Sequence, residues 1–399
     1  MFNKIIFDIS GVCNAKCPYC VTGLLNLNKL NINDTKNSFI KVENFEKALD
    51  YLIINKIFNV EYGSIDLYNW GEPLIHPEFD SIVNILNNHK IKFSISTNAS
   101  KFPKLAQSTS MENLLELRFS MSGFSQSSYD KIHQFNFNLI KNNIIKIIER
   151  FKQAGHKGTP IINYHIYQFN IAEYNQALNF AKNYNINIWP YYAYINHYEL
   201  AKDYIDNSLD RKILKKASKD LMLFYVDELI SKKPINYSCP QFNMLTIDEN
   251  CNVLTCCVIP KGCQSYSVGN LFDLSLEKIY KLKTSQKECV NCQKLNFDFW
   301  AHNVTTCESL PSFIRLPEKL HELFKSNKQY ETAWLILSSI YYRRQDLQNV
   351  FPMSLSFDIR FYYNLLLWAI NAIIYYEDGD KSILEPYIKE YTLMLQAIT

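Results

Sequence analysis

Three cysteines lie close together near the start of the chain, within "GVCNAKCPYC" at residues 11–20. Cys13, Cys17 and Cys20 follow a C-x3-C-x2-C spacing, and thiolates gathered in one tight loop suit zinc or an iron–sulfur cluster. A zinc finger requires a fourth ligand close by, but no further Cys or His occurs before His76. Three thiolates on a four-iron cluster would leave one iron open, and an open metal position favours a reaction site over a structural one.

The other cysteines are concentrated far along the chain. The sequence has 11 cysteines in 399 residues, with none between Cys20 and Cys239 and the rest between Cys239 and Cys307. The first residues, "MFNKIIFDIS", hold too short an apolar run for a signal peptide, so we expect a cytoplasmic protein. In that compartment clustered cysteines bind metals or perform redox chemistry more often than they form disulfides.

Charge and hydropathy argue against two classes of partner. The formal net charge is +3 and no dense Lys/Arg block occurs, which disfavours nucleic acid as the main partner. The most apolar segment, residues 361–376, is shorter than the ~20 residues that a membrane-spanning helix needs. We therefore predict no membrane span and no nucleic-acid partner.

The elements that must position these cysteines alternate between strand-like and helix-like segments. Six short apolar or β-branched runs predict strands, and the segments between them have helical spacing. The predicted strands cover residues 4–9, 64–69, 91–97, 115–121, 160–166 and 186–194, and the predicted helices cover 42–57, 77–89, 137–155 and 171–184. This alternation implies a parallel sheet, as an incomplete (β/α) barrel or a doubly wound sheet. In both folds ligands bind at the carboxyl ends of the strands, where the first cysteine loop follows its strand.

The second half of the chain has a different pattern. We predict one charged amphipathic helix over residues 208–232, a β-hairpin over 244–257 that turns at Asp248–Asn252, a helix over 274–283 and aromatic-rich helices over 316–399. The predicted hairpin and the turns around it coincide with the second group of cysteines.

The first cysteine loop resembles that of the radical SAM superfamily. The cysteine spacing, Asn14 after the first cysteine and the aromatic Tyr19 before the last all match, and the loop follows the first predicted strand. The resemblance implies a partial (β/α)6 TIM-type barrel in which Cys13, Cys17 and Cys20 hold a [4Fe–4S] cluster. Its open iron would take the amino and carboxylate groups of S-adenosylmethionine. The alternative is that three cysteines have this spacing by chance or form a zinc knuckle.

Further motifs match the family after the second and third predicted strands. Gly71, Glu72 and Pro73 correspond to the family motif that receives the methionine ammonium of the cofactor, where a carboxylate and backbone carbonyls suit a cation. Thr97 and Asn98 end the third strand, and the resemblance assigns them polar contacts to the nucleoside or the carboxylate. Taken singly, such residues at strand ends are mostly turn formers.

The fourth strand and the cysteine loop supply two more implied contacts. Ser120 corresponds to the family's cofactor-contacting serine, and Tyr19 is placed where an aromatic ring can stack near the adenine or simply pack. Ser122 replaces the Asp that is usual in the family. The proton-handling role that the family's Asp can have is therefore not assigned to Ser122.

The second group of cysteines resembles the auxiliary-cluster extension called SPASM or, in its shorter form, Twitch. The family's ligand pattern is matched by Cys239, Cys256, Cys289 and Cys292. The "V-x-x-C" register selects Cys256 over Cys257, and "SVGNLFDLSLEKIYK" at residues 267–281 matches the family's linking segment. The resemblance implies one auxiliary [4Fe–4S] cluster, since only Cys307 follows Cys292 and a second cluster usually takes further closely spaced cysteines there. A structural zinc ribbon is the alternative.

Cys257 stands where some related dehydrogenases carry an acidic base beside the auxiliary-cluster cysteine. A thiol can give a hydrogen atom, as radical SAM epimerases require, so Cys257 is the candidate hydrogen donor. Cys251, Cys257, Cys263 and Cys307 are left over and are interpreted as small buried hydrophobes. Alternatively, one of them replaces an assigned ligand.

The resemblance divides the chain into four parts. It predicts a radical SAM partial barrel over residues 1–200, a linker helix over 201–237, an auxiliary-cluster domain over 238–310 and a helical C-terminal domain over 311–399. The whole is an α/β protein with a small cysteine-rich α+β domain and an α-helical end.

The resemblance also implies the activity of a radical SAM oxidoreductase. The reduced first cluster would cleave S-adenosylmethionine to methionine and a 5′-deoxyadenosyl radical, which abstracts hydrogen from a substrate carbon. The favoured outcome is net oxidation of a small polar or carbohydrate-like substrate, with a flavodoxin- or ferredoxin-like protein as electron donor. Radical epimerisation or peptide modification with a cysteine hydrogen donor is one alternative, and a zinc- or cluster-binding interaction protein is another. Aromatic residues at 188–199 either stack on the substrate or belong to the core.

Overall fold

The computed structural model describes most of the first 303 residues. The described residues are 1–27, 38–167, 169–170, 173–195, 198–206, 208–210, 212–213, 217, 220–221, 233–258 and 267–303. The helices that we predict over 316–399, most of the predicted helix over 208–232, and Cys263 and Cys307 lie outside these residues.

The strands form one mixed sheet in which parallel pairs dominate. They are β1 (Lys4–Phe7), β2 (Ser64–Asp66), β3 (Lys92–Thr97), β4 (Leu114–Met121), β5 (Ile161–Ile166), β6 (Asn187–Tyr192), β7 (Met244–Ile247), β8 (Asn252–Leu254) and β9 (Ser267–Asn270). Their order is β6-β5-β4-β3-β2-β1-β7-β8-β9, and each neighbouring pair from β1 to β6 is parallel. A doubly wound sheet reverses its strand order at a switch point, whereas these six strands follow one another without reversal. The predicted α/β fold with a mainly parallel sheet is confirmed, and its strand order is that of a partial barrel.

Helices connect the parallel strands and continue after the hairpin. In the described part of the chain they are α1 (Val21–Asn26), α2 (Val42–Ile54), α3 (Phe79–Asn88), α4 (Gln126–Lys131), α5 (Phe137–Gln153), α6 (Tyr174–Asn183), α7 (Tyr198–Ile205), α8 (Leu276–Ser285), α9 (Lys287–Lys294) and α10 (Phe297–Asn303). No helix among the described residues is long and apolar enough to cross a membrane.

Helix α5 shows how the sequence specifies these elements. The side chain of Asn136 accepts a hydrogen bond from the Leu139 backbone N–H, which caps the first turn. Ile140, Ile144 and Ile147 recur at helical spacing and are fully buried. The helix ends before Gly155, whose φ of 101° lies in the left-handed region that glycine adopts without strain.

The two faces of the parallel strands differ in polarity because successive side chains point to opposite faces. One face is apolar and packs under the helices, and its side chains, Ile5, Phe7, Ile65, Phe93, Ile95, Leu117 and Phe119, are fully buried. The other face carries polar side chains, including Ser96, Ser120 and His165, which line a cavity. The sheet thus separates the apolar core from a polar interior.

The hairpin that carries part of the second cysteine group extends the same sheet. Strand β7 pairs in parallel with β1, with Lys4 opposite Met244, and β8 returns antiparallel beside β7. The predicted turn at Asp248–Asn252 is closed by a hydrogen bond from the Asp248 N–H to the Asn252 carbonyl, 3.0 Å long. Because β8 is antiparallel to β7, the chain leaves the hairpin on the side of the sheet where β7 and β1 begin.

Candidate functional site

A cavity of about 250 Å³ collects residues from the ends of all six parallel strands. The loop after β1 contributes Cys13, Cys17, Cys20 and Tyr19, and the later strands and loops contribute Tyr68, Gly71, Glu72, Ser96, Thr97, Asn98, Ser120, His133, His165 and Tyr194. This is the carboxyl edge of the sheet, where parallel α/β folds bind ligands. Every cofactor contact that the sequence predicts, apart from Pro73, lines this cavity.

The cysteine loop is held by its own helix. The Asn26 side-chain amide donates to the carbonyl oxygens of Cys13 and Ala15, each at 2.6 Å. Gly23 lies so close to the loop that a Cβ there would stand 2.2 Å from the Cys17 carbonyl oxygen. Helix α1 therefore packs directly on the loop and fixes the positions from which the three thiols face the cavity.

The three thiols influence one another electrostatically. Burial raises the pKa of Cys13 to about 12, and it also raises the pKa of Cys17 and Cys20. The charges of Cys20 and Cys13 raise the pKa of Cys17 further. No Lys or Arg is among the described residues that line the cavity, and a bound metal would stabilise the thiolates.

The donor set of the loop fits a thiophilic metal group. Three partly buried thiols line one cavity, and no Lys or Arg is among its described lining residues. Among the described residues, no group of three or more His, Cys, Asp or Glu side chains is arranged so that it could hold a metal ion as it stands. Ligation by Cys13, Cys17 and Cys20 remains a prediction that rests on their donor chemistry and their shared cavity.

The carboxylate of Glu72 accepts hydrogen bonds from other groups of the protein. Its side chain is buried, and it accepts hydrogen bonds from the Thr97 hydroxyl at 2.6 Å, the Asn98 N–H at 2.7 Å and the Leu74 N–H at 3.0 Å. Burial raises the pKa of Glu72 to about 7, and the three donors act in the opposite direction. The Glu72 carboxylate thus fixes the end of β3 to the loop after β2, and the Thr97 hydroxyl is occupied by the same interaction.

Pro73 begins the short 3₁₀ turn Pro73–Ile75 and is buried. A proline fits the first position of such a turn because its missing N–H needs no partner there. Pro73 does not line the cavity, and it follows Glu72, which caps this turn through the Leu74 N–H.

Asn98 connects the end of β3 to the cysteine loop. Its side-chain amide lies 3.7 Å from the Cys13 Sγ and 3.2 Å from the Asn14 Oδ1, as donor to both. A hydrogen bond to sulfur favours the thiolate form. Asn98 therefore both orients the loop and stabilises negative charge on Cys13.

The backbone around Gly71 docks tightly on the cysteine loop. A Cβ on Gly71 would stand 1.4 Å from the Ser10 carbonyl oxygen. The Asp8 carboxylate accepts from the Trp70 N–H at 2.9 Å and the Gly71 N–H at 3.2 Å, and the Glu72 N–H donates to the Val12 carbonyl at 2.8 Å. Glycine at this position permits the close approach of the two loops.

Replacing Gly71 by alanine is expected to force these loops apart. Because the added methyl group meets backbone and not a flexible side chain, the free energy of unfolding should fall by about 3 kcal/mol, at the upper end of ordinary overpacking. Urea denaturation followed by circular dichroism measures this loss. An unfolding midpoint equal to that of the wild type would show that the loops do not approach so closely.

Tyr19 and Ser120 line the cavity as the sequence predicts, and Ser122 does not. The Tyr19 hydroxyl donates to the Asp220 carboxylate at 2.6 Å, and burial raises the pKa of Tyr19. The Tyr19 ring lies 6.3 Å from that of Tyr167, which also lines the cavity. Ser122 is fully buried in the fold, and its hydroxyl has no hydrogen-bond partner among the described residues.

Two histidines of the cavity were not predicted from the sequence. His133 is 4% exposed, and its Nδ1 has no hydrogen-bond partner within the described structure. Burial lowers the pKa of His133 to about 4 and that of His165 to about 3, so both rings are neutral near pH 7. The available signal was the position of His165 at the carboxyl end of the fifth predicted strand. His133 gives no such signal, because it follows α4.

The second group of cysteines also converges in space. Cys239 precedes the 3₁₀ turn Pro240–Asn243, whereas Cys289 and Cys292 lie three residues apart on α9 and so share one face of that helix. Burial raises the pKa of Cys256, and the charges of Cys257, Cys292 and Cys289 raise it further. The four predicted ligands are thus electrostatic neighbours, and their binding of a cluster remains a prediction.

Two further cysteines of this region have different surroundings. Cys251 is 3% exposed and belongs to the apolar core, as the interpretation of a small buried hydrophobe predicts. Cys257 lies towards the cavity of the first cysteine loop. Burial raises the pKa of Tyr68 and Tyr194, which both line that cavity, and the charge of Cys257 contributes to both shifts.

One protein family matches part of the sequence. Residues 8–181 match the sequence profile of the Radical SAM superfamily. This range runs from the end of β1 into α6 and includes the first cysteine loop and the residues at the ends of β2, β3 and β4. No curated protein sequence matches the chain.

Several solved structures resemble the fold distantly. SuiB from Streptococcus suis bound to its precursor peptide SuiA has 16% identity and a TM-score of 0.46 over 70% of this chain and 65% of that chain, so this chain spans just under two thirds of it. The protein anSMEcpe with bound AdoMet has 14% identity and a TM-score of 0.46 over 90% of this chain and 97% of that chain. BtrN in complex with AdoMet and 2-DOIA has 15% identity and a TM-score of 0.37 over 75% of this chain and 91% of that chain.

Proposed function

We propose that this chain, in which residues 8–181 form a radical SAM domain, is an enzyme that cleaves S-adenosylmethionine reductively and abstracts a hydrogen atom from a substrate carbon. The net outcome is oxidation of a small polar or carbohydrate-like substrate. A flavodoxin- or ferredoxin-like protein supplies the electrons.

One observation carries this proposal. The three thiols of the first cysteine loop line the same cavity as Gly71, Glu72, Thr97, Asn98 and Ser120, although these groups are spread over more than 100 residues of sequence. A structural zinc site needs only its ligands. A cavity with hydrogen-bonding groups opposite three thiols instead suits a metal group that binds a small molecule.

The residues of the cavity divide into proposed cluster ligands and residues that position the ligands or bind the cofactor. A [4Fe–4S] cluster on Cys13, Cys17 and Cys20 supplies the electron that cleaves S-adenosylmethionine. Asn98 donates to the Cys13 sulfur, and Glu72 holds Asn98 in place through its backbone N–H. The backbone of Gly71 and Glu72 offers carbonyl groups to an ammonium ion, and Ser120 offers a hydroxyl group to the ribose or the carboxylate.

The second cysteine group completes the proposed enzyme. Cys239, Cys256, Cys289 and Cys292 would hold one auxiliary [4Fe–4S] cluster with all four ligands supplied by protein. Its support is the mutual electrostatic influence of the four thiols. Residues 238–310 then act as the auxiliary-cluster part of the chain, after a barrel over 1–200 and a linker over 201–237.

Anaerobic reconstitution tests the proposal. Protein treated with iron and sulfide, then with dithionite and S-adenosylmethionine, is expected to form 5′-deoxyadenosine, and deuterium from the attacked carbon of a substrate is expected to appear in that product. Candidate sugars, aminocyclitols and peptides with deuterium at single carbons identify the substrate class. Zinc without sulfide, and no 5′-deoxyadenosine, would instead favour a zinc-binding interaction protein.

A second outcome, epimerisation, is favoured by the position of Cys257. Its charge acts on Tyr68 and Tyr194 in the cavity, so its thiol is the candidate donor of a hydrogen atom to a substrate radical. The resulting sulfur radical would be returned to the thiol by one electron from the reducing protein and one proton.

Deuterated water separates the two outcomes. Epimerisation through Cys257 places solvent deuterium at the reacting carbon, and Cys257→Ala abolishes this incorporation while 5′-deoxyadenosine is still formed. An oxidised product without solvent deuterium, unchanged in Cys257→Ala, would exclude the thiol route. The iron content of Cys257→Ala, compared with that of Cys256→Ala, shows which of the two cysteines is a ligand.

A further inference from the structure

Helix α8 places a lysine in the interior next to the second cysteine group. Lys283 is only 1% exposed, whereas Lys281 on the same helix is exposed. Lysine is almost never fully buried unless its charge is paired. The partner of this charge must therefore be found among the groups around it.

The hydrogen bonds of Lys283 go to backbone carbonyl groups. Its Nζ donates to the Gln241 carbonyl at 2.8 Å and to the Met244 carbonyl, and it lies 5.6 Å from the centre of the Phe2 ring. These contacts satisfy hydrogen bonding but carry no formal negative charge. No carboxylate among the described residues forms an ion pair with Lys283. By contrast, Lys233 pairs with Asp298 at 2.8 Å.

The carbonyl contacts connect Lys283 to the cysteines. Gln241 belongs to the 3₁₀ turn Pro240–Asn243 that directly follows Cys239, and its side-chain oxygen accepts from the Cys257 N–H at 3.4 Å. Lys283 thus holds the turn that follows Cys239, which is one predicted ligand. The same turn contacts Cys257, which is the neighbour of Cys256, another predicted ligand.

The electrostatic interactions connect Lys283 to three of the four predicted ligands and to Cys257. Burial lowers the pKa of Lys283 to about 8, and the charges of Cys256, Cys289, Cys239 and Cys257 act in the opposite direction. The effect is reciprocal, since the Lys283 charge lowers the pKa of Cys239, Cys257 and Cys289, where burial raises it. Free thiols are neutral, and only thiolates bound to a metal group would offset a buried ammonium.

We propose that Lys283 is a positioning residue that supplies the compensating positive charge for an anionic metal cluster held by Cys239, Cys256, Cys289 and Cys292. This inference rests on the auxiliary cluster of the proposed function. A cluster with four thiolates is anionic and becomes more so on reduction, and a fixed cation nearby favours the reduced form. Lys283 therefore raises the reduction potential of the auxiliary cluster.

The experiment isolates this cluster and changes one charge. The full chain carrying Cys13→Ala, Cys17→Ala and Cys20→Ala is reconstituted, so that only the second cysteine group can bind iron and sulfide. In this background Lys283→Gln removes the charge but retains a donor, Lys283→Met removes both, and Lys283→Arg retains the charge. Lys281→Met is the matched control, because it makes the same change at an exposed position of the same helix. Iron and sulfide analysis and a redox titration followed by electron paramagnetic resonance give the readout.

The expected result is a more negative reduction potential in both neutral variants than in the background protein, and no shift in Lys281→Met or Lys283→Arg. An intact cluster whose potential in the neutral variants equals that of Lys281→Met would overturn the inference while leaving the auxiliary cluster in place. A background protein that binds no iron and sulfide would instead overturn the auxiliary cluster itself. If the neutral variants lose the cluster, retention in Lys283→Arg supports the need for charge, and loss in Lys283→Arg contradicts it.

Discussion

Replacing Cys17 by serine is expected to reduce 5′-deoxyadenosine formation to the level of a mixture without enzyme. The serine hydroxyl does not provide a thiolate, so the variant loses one of the three predicted ligands. The Cys17 thiol also interacts electrostatically with both Cys13 and Cys20. Liquid chromatography of anaerobic reactions containing dithionite and S-adenosylmethionine measures the product. Iron and sulfide analysis should show the loss of one of the two clusters.

Cys251→Ala is the matched control for this experiment. Cys251 is buried in the apolar core, and it is not among the residues that line the cavity. Its variant should retain the iron, the sulfide and the 5′-deoxyadenosine of the wild type. Full product formation by Cys17→Ser would exclude a cluster held by the first cysteine loop.

Replacing Glu72 by alanine is expected to lower the free energy of unfolding by about 3 kcal/mol or more. The change leaves three buried donors without their acceptor, and each such group costs roughly 1–3 kcal/mol. The donors are the Thr97 hydroxyl and the N–H groups of Asn98 and Leu74. Because Asn98 in turn contacts Cys13, the variant should also lose binding of S-adenosylmethionine.

Urea denaturation measures the stability loss, and equilibrium dialysis of the reconstituted protein with labelled S-adenosylmethionine measures binding. Glu78→Ala is the control, since Glu78 lies in the same loop region with an exposed side chain. If Glu72→Ala and Glu78→Ala unfold at the same urea concentration, the Glu72 carboxylate does not hold the end of β3.

The alternation of strands and helices was predictable because it depends on local spacing, but the ends of elements depend on tertiary contacts. The second strand, predicted over residues 64–69, ends at Asp66. Beyond it the chain turns so that Trp70 and Gly71 donate to Asp8. Such contacts join residues about 60 positions apart, and no local pattern encodes them.

The end of α2 shows the same limit. The helical spacing predicts a helix to residue 57, but α2 ends at Ile54. Lys56 adopts a left-handed backbone with φ of 52°, and Phe58 forms a bridge with Phe2 at the start of the chain. The apolar residues after the helix thus pair with the start of the chain and do not form a further helical turn.

The role of Glu72 also depended on the tertiary structure. Its motif predicts that it belongs to a cofactor site, and a carboxylate there suggests direct contact with a cation. The fold instead uses the carboxylate for hydrogen bonds to Thr97 and Asn98. Whether a polar side chain faces a ligand or supports a neighbour depends on which groups the register of the strands brings within reach.

The sequence by itself determined the spacing of the two cysteine groups and predicted the parallel α/β class, because residue spacing and hydrophobic periodicity are local properties of the chain. The tertiary structure decided which distant groups meet. It paired β7 with β1, and it placed Cys257 where its charge acts on Tyr194 of the first cavity. It also distinguished Lys283 from Lys281, which are equivalent in the stretch "YKLKTS". One is exposed and the other is enclosed beside four thiols, because burial depends on the neighbours that the fold supplies.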